Sequence, residues 1–387
     1  MIDFTLTDEQ QMLVEMTRSF VEKEMLPHEE TLESTDTLPP ELATSLRKRS
    51  MELGLHACNL PEKIGGGGLD AVSVMLIEKE LGRTSLALAE CAHRPLNILA
   101  ACEDEQVTQF LEPTLRGEKR DCIAMTEPGA GSDLRGMKCK AVRDGGYWTI
   151  NGEKHFISQA FISDFCVLFA ATGEEKTNKG IKKLISAFLV DFSDPGVEVA
   201  PGYKNVSHRG YTNNILRFDN ARIPEWRIMG PEGDGFRLVN LWLGPTRLTV
   251  AATCVARAER AFEIALNYAA TREQFGQKIG KFQGISFPLA DMTTEIKLAN
   301  LMLLETAWKI DRGTVTPEDC AMTKLYCTEM LARVADQALQ TVGGMGLMED
   351  LPLERIWRDA RVERIWDGTS EIQRHIISRG LLRPLGS

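Results

Sequence analysis

Apolar residues recur at helical spacing in three stretches of the first 120 or so residues, namely 12–20, 71–81 and 96–110. The segment Thr7–Gln10, which precedes the first stretch, has the spacing of a capping box. A run of glycines at 65–68 breaks the pattern and predicts a loop. The N-terminal part of the chain is therefore predicted to be helical.

The pattern changes to short β-prone runs between residue 121 and about Pro224. Tyr147–Ile150 is flanked by the turn signals Asp144-Gly145 and Asn151-Gly152. Strands are also predicted at 165–170 and 185–190. Turn signals at this spacing favour hairpins, so we predict that the middle third is antiparallel β-structure.

Helical patterns return from Gly235 and cover 250–270, 285–310 and 318–339, with Gly343-Gly344 ending the last of them. Successive long helices with one apolar face pack best as a bundle. We therefore predict an α+β, mostly α fold. Its predicted domains are helical at 1–120, β at 121–231 and a four-helix bundle at 232–387.

Composition limits the kind of protein this chain can be. A length of 387 residues allows more than one folding unit. The net charge of −10 argues against a broad nucleic-acid surface. Nine scattered cysteines with no Cys-x-x-Cys pair predict reduced thiols in a cytoplasmic protein. The start, Met1–Thr5, lacks the pattern of a signal peptide, and no stretch reaches membrane-spanning length.

Histidine spacing predicts no metal site. The six histidines show no ligand pattern. Glu371 and His375 stand one helical turn apart, which is more typical of a surface pair than of metal ligands.

The segment Thr126–Asp133, Thr-Glu-Pro-Gly-Ala-Gly-Ser-Asp, could contact a ligand. Glycines let a ligand approach the backbone, and Ser and Thr supply hydroxyl groups. No lysine follows the glycines, so it is not a P-loop, and it does not connect a strand to a helix as in dinucleotide-binding units. Taken alone, the residues favour a simple turn over a ligand-binding loop.

This segment resembles the corresponding loop of the acyl-CoA dehydrogenase family almost letter for letter. Further matches follow in the family's order along nearly the whole chain. They are Pro61–Gly68, Gly152–Ser158, Arg272–Gly276 (Arg-x-x-Phe-Gly), Gln340–Gly346 (Gln-x-x-Gly-Gly-x-Gly), Arg358–Ala360 and Arg364–Arg374. The resemblance implies a helical, β, helical fold, an FAD cofactor between the β-domain and the C-terminal bundle, and a homotetramer.

The resemblance also implies which residues contact FAD. Phe156 stands where the family often has Trp and would stack on the flavin. Arg272, Gln274 and Phe275 would reach the FAD of a neighbouring subunit. The full implied set is Met125, Thr126, Gly131, Ser132, Phe156, Ser158, Arg272, Gln274, Phe275, Gln283, Gln340, Gly343, Gly344, Thr369 and Glu371.

The implied reaction is α,β-dehydrogenation of an acyl-CoA in fatty-acid β-oxidation, with electrons passed to an electron-transfer flavoprotein. A carboxylate removes the α-proton while the β-hydride passes to the flavin. Asp367 occupies the position of the family's usual catalytic glutamate, one methylene shorter. The implied contacts to substrate are Ser132, Thr246, Arg247, Trp366, Gly368 and Arg379.

Two departures from the family's pattern leave alternative functions open. Thr246 occupies the family's other position for a catalytic glutamate and cannot act as that base. Nitroalkane oxidase, a relative, uses an aspartate base, so Asp367 also fits such an oxidase. The stretch Glu305–Thr316 has the look of a crotonobetainyl-CoA reductase, which would suit a polar or cationic acyl group. Either Glu90 or His93 could be a second titrating group or a contact for a polar acyl tail, but a solvated helix face or a structural ion pair is the favoured interpretation. The remaining hypothesis is that the protein binds flavin or acts as a scaffold but has no catalytic activity.

Overall fold

The computed structural model describes residues 5–177 and 180–386, and it has helices on either side of a central sheet. Met1–Phe4, on which the signal-peptide prediction partly rests, lies outside the described residues. The N-terminal helices are α1 (Asp8–Phe20), α2 (Glu29–Thr35), α3 (Pro40–Glu52), α4 (Ala71–Leu81), α5 (Leu86–Ala89) and α6 (Glu112–Leu115).

The helix starts follow from local side-chain chemistry. The predicted capping box at α1 is confirmed, because Thr7 and Gln10 exchange hydrogen bonds between side chain and backbone at 3.2 Å each. Asp70 caps α4 by accepting the backbone N–H of Ser73 at 2.7 Å. The predicted helix at 71–81 is therefore confirmed to the residue.

The predicted helical stretch at 96–110 is wrong. The chain forms a 3₁₀ helix over Asn97–Ala101 and a π-helical turn over Val107–Leu111. Between them Asp104 has a φ of 46°, a left-handed conformation that a continuous helix cannot contain. Apolar spacing does not report this local break in the backbone.

The middle of the chain forms one sheet with strand order β6-β7-β3-β2-β4-β5-β8, with β1 paired to β4. The strands are β1 (Asp121–Ala124), β2 (Lys140–Asp144), β3 (Tyr147–Ser158), β4 (Phe165–Thr177), β5 (Gly180–Asp191), β6 (Val197–Ala200), β7 (Asn213–Pro224) and β8 (Ile228–Met229). Most neighbours are antiparallel as predicted, whereas β1 and β2 run parallel to β4.

The predicted turn at Asn151-Gly152 is wrong. β3 continues through both residues, and its pairing with β7 shifts register between Ile150 and Gly152. Gly152 has a φ of 144°, and a Cβ there would lie 2.7 Å from the Cα of Cys139. The glycine therefore marks a bulge with close backbone approach.

The C-terminal part begins with α7, a 37-residue helix; α7, α8 and α9 pack against one another, and α10 and α11 both pack on α9. The left-handed Gly343, with a φ of 68°, ends α9 as predicted. A small hairpin, β9 and β10, follows α7. The elements are α7 (Gly235–Thr271), β9 (Glu273–Gln274), β10 (Gln277–Lys278), α8 (Gln283–Asp311), α9 (Pro317–Val342), α10 (Leu353–Glu363) and α11 (Ser370–Leu382).

One apolar core joins the two helical parts. Buried side chains of α1, α4 and the short turn after α5 pack with those of α7, α8, α9 and α10. Two smaller cores lie on the two faces of the sheet. Within the described ranges, no helix is long and apolar enough to cross a membrane.

Candidate active site

Asp367 lies in a tight loop between α10 and α11 whose carbonyl groups are held by three side chains. Lys324 Nζ and Gln373 Nε2 donate to the carbonyl of Gly368 at 3.0 and 2.7 Å, and Arg247 Nε donates to that of Asp367 at 3.4 Å. Asp367 and Gly368 both have positive φ, 50° and 91°. A Cβ on Gly368 would lie 2.8 Å from the Gln373 amide nitrogen, so the position requires glycine.

The protein around Asp367 makes its carboxyl group a weaker acid. The pKa of Asp367 is raised from 3.8 to about 6, chiefly by desolvation; Glu363 and Glu90 contribute to the rise, while Lys324 and Arg247 oppose it. A carboxyl group with this pKa holds a proton more firmly than ordinary aspartate, yet is ionised at neutral pH. That is the acidity required of a general base working near pH 7.

Trp366, which precedes Asp367, is held on two sides. The imidazole of His208 stacks on its indole ring at 5.1 Å between centroids, with 8° between the planes. The indole N–H donates to Glu363 Oε2 at 2.8 Å. Glu363 also accepts from Arg257, and His208 is bonded to Asp359 and Glu363, so a buried charged cluster lies behind the tryptophan.

Tyr211 connects the sheet to this loop. Its ring contacts that of Trp366 edge-on, with 6.4 Å between centroids. Its hydroxyl has Ser158, the last residue of β3, as a side-chain hydrogen-bond partner, and burial raises its pKa. The charges of Glu90 and Asp367 both act on this hydroxyl. The end of β3 and the Asp367 loop therefore border one space.

Glu90 and His93 have different surroundings. The charge of Glu90 reaches Asp367 and raises its pKa, and its carboxylate lies 3.8 Å from Arg94. His93 is buried and bonded through Nε2 to Asp121 at 2.8 Å, and burial lowers its pKa. The Glu90 carboxylate therefore acts on Asp367, whereas His93 belongs to a buried pair with Asp121.

The glycine-rich loop is fixed on its buried side by an ion pair. Lys154 Nζ, from β3, donates to Glu127 Oε1 at 2.8 Å and to the carbonyl of Met125 at 2.9 Å. Glu127 also accepts the backbone N–H groups of Lys138 and Cys139 at 2.5 and 3.0 Å. Together these bonds fix Met125 and the start of the loop.

The open side of this loop, at Gly131, is suited to a flat cofactor. A Cβ added at Gly131 would meet nothing within 4 Å, so the loop faces open space there. Phe156, on the neighbouring strand, is 57% exposed and has a φ of 58°. Its ring lies 5.3 Å from that of Tyr203. Exposed aromatics beside open, polar backbone fit the isoalloxazine ring predicted from Met125, Thr126, Ser132, Phe156 and Ser158.

The other predicted FAD contacts lie far from this place within one chain. Between Arg247 and Arg272 helix α7 rises about 37 Å, at 1.5 Å per residue. Phe275, at the tip of the β9–β10 hairpin, is 94% exposed. The structure of one chain therefore does not unite this distal set with the glycine-rich loop. The distal set comprises Arg272, Gln274, Phe275, Gln283, Gln340, Gly343 and Gly344.

The remaining predicted residues have local roles in the structure. Thr369 caps α11 by accepting the N–H of Ile372 at 3.2 Å, and Glu371 is exposed on its first turn. Thr246 donates to the carbonyl of Trp242 in its own helix at 2.9 Å. Arg379 is exposed on α11. Arg247 is buried against the Asp367 loop, so its predicted contact to CoA phosphate stays a prediction.

Sequence reasoning missed the charged residues behind the loop. Arg257 and Lys324 fall on the apolar faces of long helices, and a charge on such a face was the available signal. His208 and Tyr211 lie in an irregular segment where no periodicity applies. In the described parts of the chain, no group of histidines, cysteines and carboxylates could hold a metal ion.

Comparison with known proteins covers almost the whole chain. Residues 7–118, 122–221 and 233–382 match the N-terminal, middle and C-terminal domains described for acyl-CoA dehydrogenases. An acyl-CoA dehydrogenase of Bacillus subtilis is 36% identical over 97% of this chain and 99% of its own length.

Two further relatives extend the comparison. The caffeyl-CoA reductase-Etf complex subunit CarC of Acetobacterium woodii is 31% identical over 97% of this chain and 99% of its own length. The structure of butyryl-CoA dehydrogenase from Megasphaera elsdenii superposes with a TM-score of 0.90 at 31% identity, covering 99% of this chain and all of that one.

Proposed function

This chain belongs to the acyl-CoA dehydrogenase family of FAD-dependent oxidoreductases that act on CH–CH bonds, and from that premise we propose that it oxidises an acyl-CoA thioester to the enoyl-CoA with Asp367 as the base. The observation that carries this assignment is the Asp367 loop. It presents a carboxyl group of pKa about 6 beside the end of β3.

Each residue of the site has a separate role in the proposed reaction. Asp367 removes the proton from the α-carbon, which the thioester carbonyl acidifies. Lys324, Gln373 and Arg247 keep the carboxylate in place by fixing the backbone of its loop. The glycine-rich loop and Phe156 would hold the flavin of FAD, which would supply the acceptor for the β-hydride. Tyr211 and Trp366 limit the space in which the acyl group lies.

Asp367 is one methylene shorter than the family's usual glutamate, and this affects the substrate. A backbone bond of about 1.5 Å sets the scale of the difference. Proton transfer requires heavy atoms within about 3.2 Å. The α-carbon must therefore lie deeper toward the loop than it would with glutamate, so we propose an acyl group with an unusual shape or polarity near its α-carbon.

Electron-transfer flavoprotein is the proposed electron partner, and a homotetramer is the proposed assembly. The Etf complex named for the relative CarC supports the first. The rise of about 37 Å along α7 from Arg247, beside the Asp367 loop, to Arg272 supports the second, because we propose that another subunit supplies the distal set. A second candidate function, reduction of an enoyl-CoA at the same site, is favoured by the same relative, which is named as a reductase.

Anaerobic titration of the purified FAD protein with acyl-CoAs tests the proposal. Straight-chain, branched, cyclic, aromatic and cationic acyl-CoAs should be compared, and at least one should bleach the flavin absorbance within seconds. Bleaching by dithionite followed by reoxidation with enoyl-CoAs alone would favour the reductase. Oxygen consumption with nitroalkanes, without bleaching by any thioester, would overturn both assignments in favour of an oxidase.

The pH dependence of flavin reduction should follow Asp367. The folded protein raises the pKa of Asp367 from 3.8 to about 6, so the basic form is lost as the pH falls through 6. We expect the rate of flavin reduction at saturating substrate to fall about tenfold per pH unit well below 6 and to be flat above 7. Stopped-flow absorbance between pH 5 and 9 measures this profile, and a flat profile down to pH 5 would contradict it.

A further inference from the structure

We infer that His208 is a positioning residue for the proposed base, Asp367. Its ring stacks on Trp366 and restricts the orientation of the indole, and its positive charge, together with that of Arg257, neutralises Glu363. The inference rests on the proposed role of Asp367 and adds a residue that does not touch the substrate. It accounts for a buried charged cluster that the reaction itself does not use.

The first argument is geometric. Trp366 is covalently joined to Asp367, so the orientation of the indole limits the orientation of the aspartate. His208 covers one face of the indole with nearly parallel rings, and Glu363 holds its N–H at 2.8 Å. Asp367 has a left-handed backbone that an aspartate adopts only when its surroundings impose it. His208 and Glu363 together form a clamp on Trp366, and this clamp is one of those constraints.

His208 itself is firmly held. Its backbone N–H donates to Asp359 Oδ1 at 2.6 Å, and its ring nitrogens lie 3.3 Å from Asp359 and 3.1 Å from Glu363. Its side chain is fully buried. Burial lowers the pKa of His208, but the two carboxylates outweigh burial and raise it above its ordinary value. The ring is thereby favoured as the imidazolium.

The second argument is the charge balance around Asp367. Glu363 from α10 and Glu90 from the turn after α5 raise the pKa of Asp367, while Lys324 from α9 and Arg247 from α7 lower it. Around His208 the facing groups are Asp359 and Glu363 from α10 and Arg257 from α7. His208 and Arg257 thus supply two positive charges against the two carboxylates of α10. Without the imidazolium, more of the negative charge of Glu363 would act on Asp367.

Two substitutions separate stacking from charge. His208→Phe keeps a ring against Trp366 and removes the charge, whereas His208→Asn removes both and suits the left-handed backbone at 208. We expect the midpoint of the pH profile of flavin reduction to rise in both variants, by on the order of one unit, because both remove a positive charge that offsets Glu363. Only His208→Asn should also lower the plateau rate at high pH, by about tenfold.

His375→Gln is the matched control, because His375 is exposed on α11 and should leave midpoint and plateau unchanged. Flavin content and circular dichroism identify variants that fail to fold. If His208→Phe does not fold, His208→Asn tests the inference by itself, since it also removes the imidazolium and suits the backbone at 208. Equal midpoints in wild type and a folded clamp variant would overturn the inference.

The test also stands apart from the proposed reaction. If no acyl-CoA reduces the flavin, the proposed reaction is refuted, but the contact of His208 with Trp366 can still be measured. Indole fluorescence of the wild type minus that of Trp366→Phe should change with pH as His208 titrates, and the change should vanish in His208→Phe. A difference signal independent of pH, or one unchanged in His208→Phe, would show that His208 does not titrate against Trp366.

Discussion

Asp367→Asn should slow flavin reduction by acyl-CoA at least a hundredfold and leave FAD bound. Loss of a general base typically costs 10²- to 10⁴-fold in rate. Asparagine has nearly the same shape, and the contacts of Arg247 and Gln373 are to the backbone carbonyl of residue 367, which the substitution leaves in place. Stopped-flow reduction at pH 8 and the flavin spectrum measure the two quantities.

Asp350→Asn is the control for this loss, because Asp350 is exposed and belongs to neither the predicted FAD contacts nor the predicted substrate contacts. Its rate should stay within twofold of wild type. Glu90→Gln tests the nearest rival base and should cost only a few-fold, through the pKa of Asp367. Full-rate reduction by Asp367→Asn combined with loss in Glu90→Gln would transfer the role to Glu90.

Lys154→Met should destabilise the fold by about 3 kcal/mol and weaken FAD retention. Removing one partner of a buried ion pair leaves the other charge without compensation, which typically costs about 3–5 kcal/mol. The lower end applies here because Glu127 keeps two backbone N–H donors. The free Met125 carbonyl should loosen the glycine-rich loop. Urea unfolding and retention of flavin through gel filtration measure both effects.

Two comparisons define the cause of this loss. Lys182→Met removes an exposed lysine whose carboxylate partner lies 3.7 Å away, and it should cost under about 0.5 kcal/mol. Glu127→Gln combined with Lys154→Met removes both charges and should regain part of the stability. A single Lys154→Met variant as stable as wild type, with full flavin content, would show that the pair does not hold the loop.

The fold could be predicted from the sequence where one physical rule governs a whole segment. Helical spacing and caps located α1 and α4, and long apolar stripes located α7, α8 and α9. The predicted strands at 165–170 and 185–190 lie within β4 and β5. These features depend on local chemistry that repeats along the segment, and the order of motifs identified the family that the comparisons confirm.

The rest depends on contacts between distant segments. Gly152 resembles a turn residue in sequence, but it is required by the backbone of Cys139, which directly precedes β2. Asp104 breaks a helical pattern that the side chains alone support. The pKa of Asp367 is raised chiefly by burial, and it is adjusted by residues far away in the sequence: Glu90 raises it, while Lys324 and Arg247 lower it. One sequence does not show such pairings.

The length of α7 sets limits on how this chain can vary. One rigid helix joins the part of the chain that holds the Asp367 loop to the β9–β10 hairpin at its far end. A one-residue insertion between Arg247 and Thr271 would turn the hairpin by about 100° and advance it by about 1.5 Å. Such a change would misdirect Phe275 and its neighbours, whereas a similar insertion at a loop tip would be absorbed locally. Among descendants of this sequence, α7 should therefore keep its residue count even where its surface composition drifts.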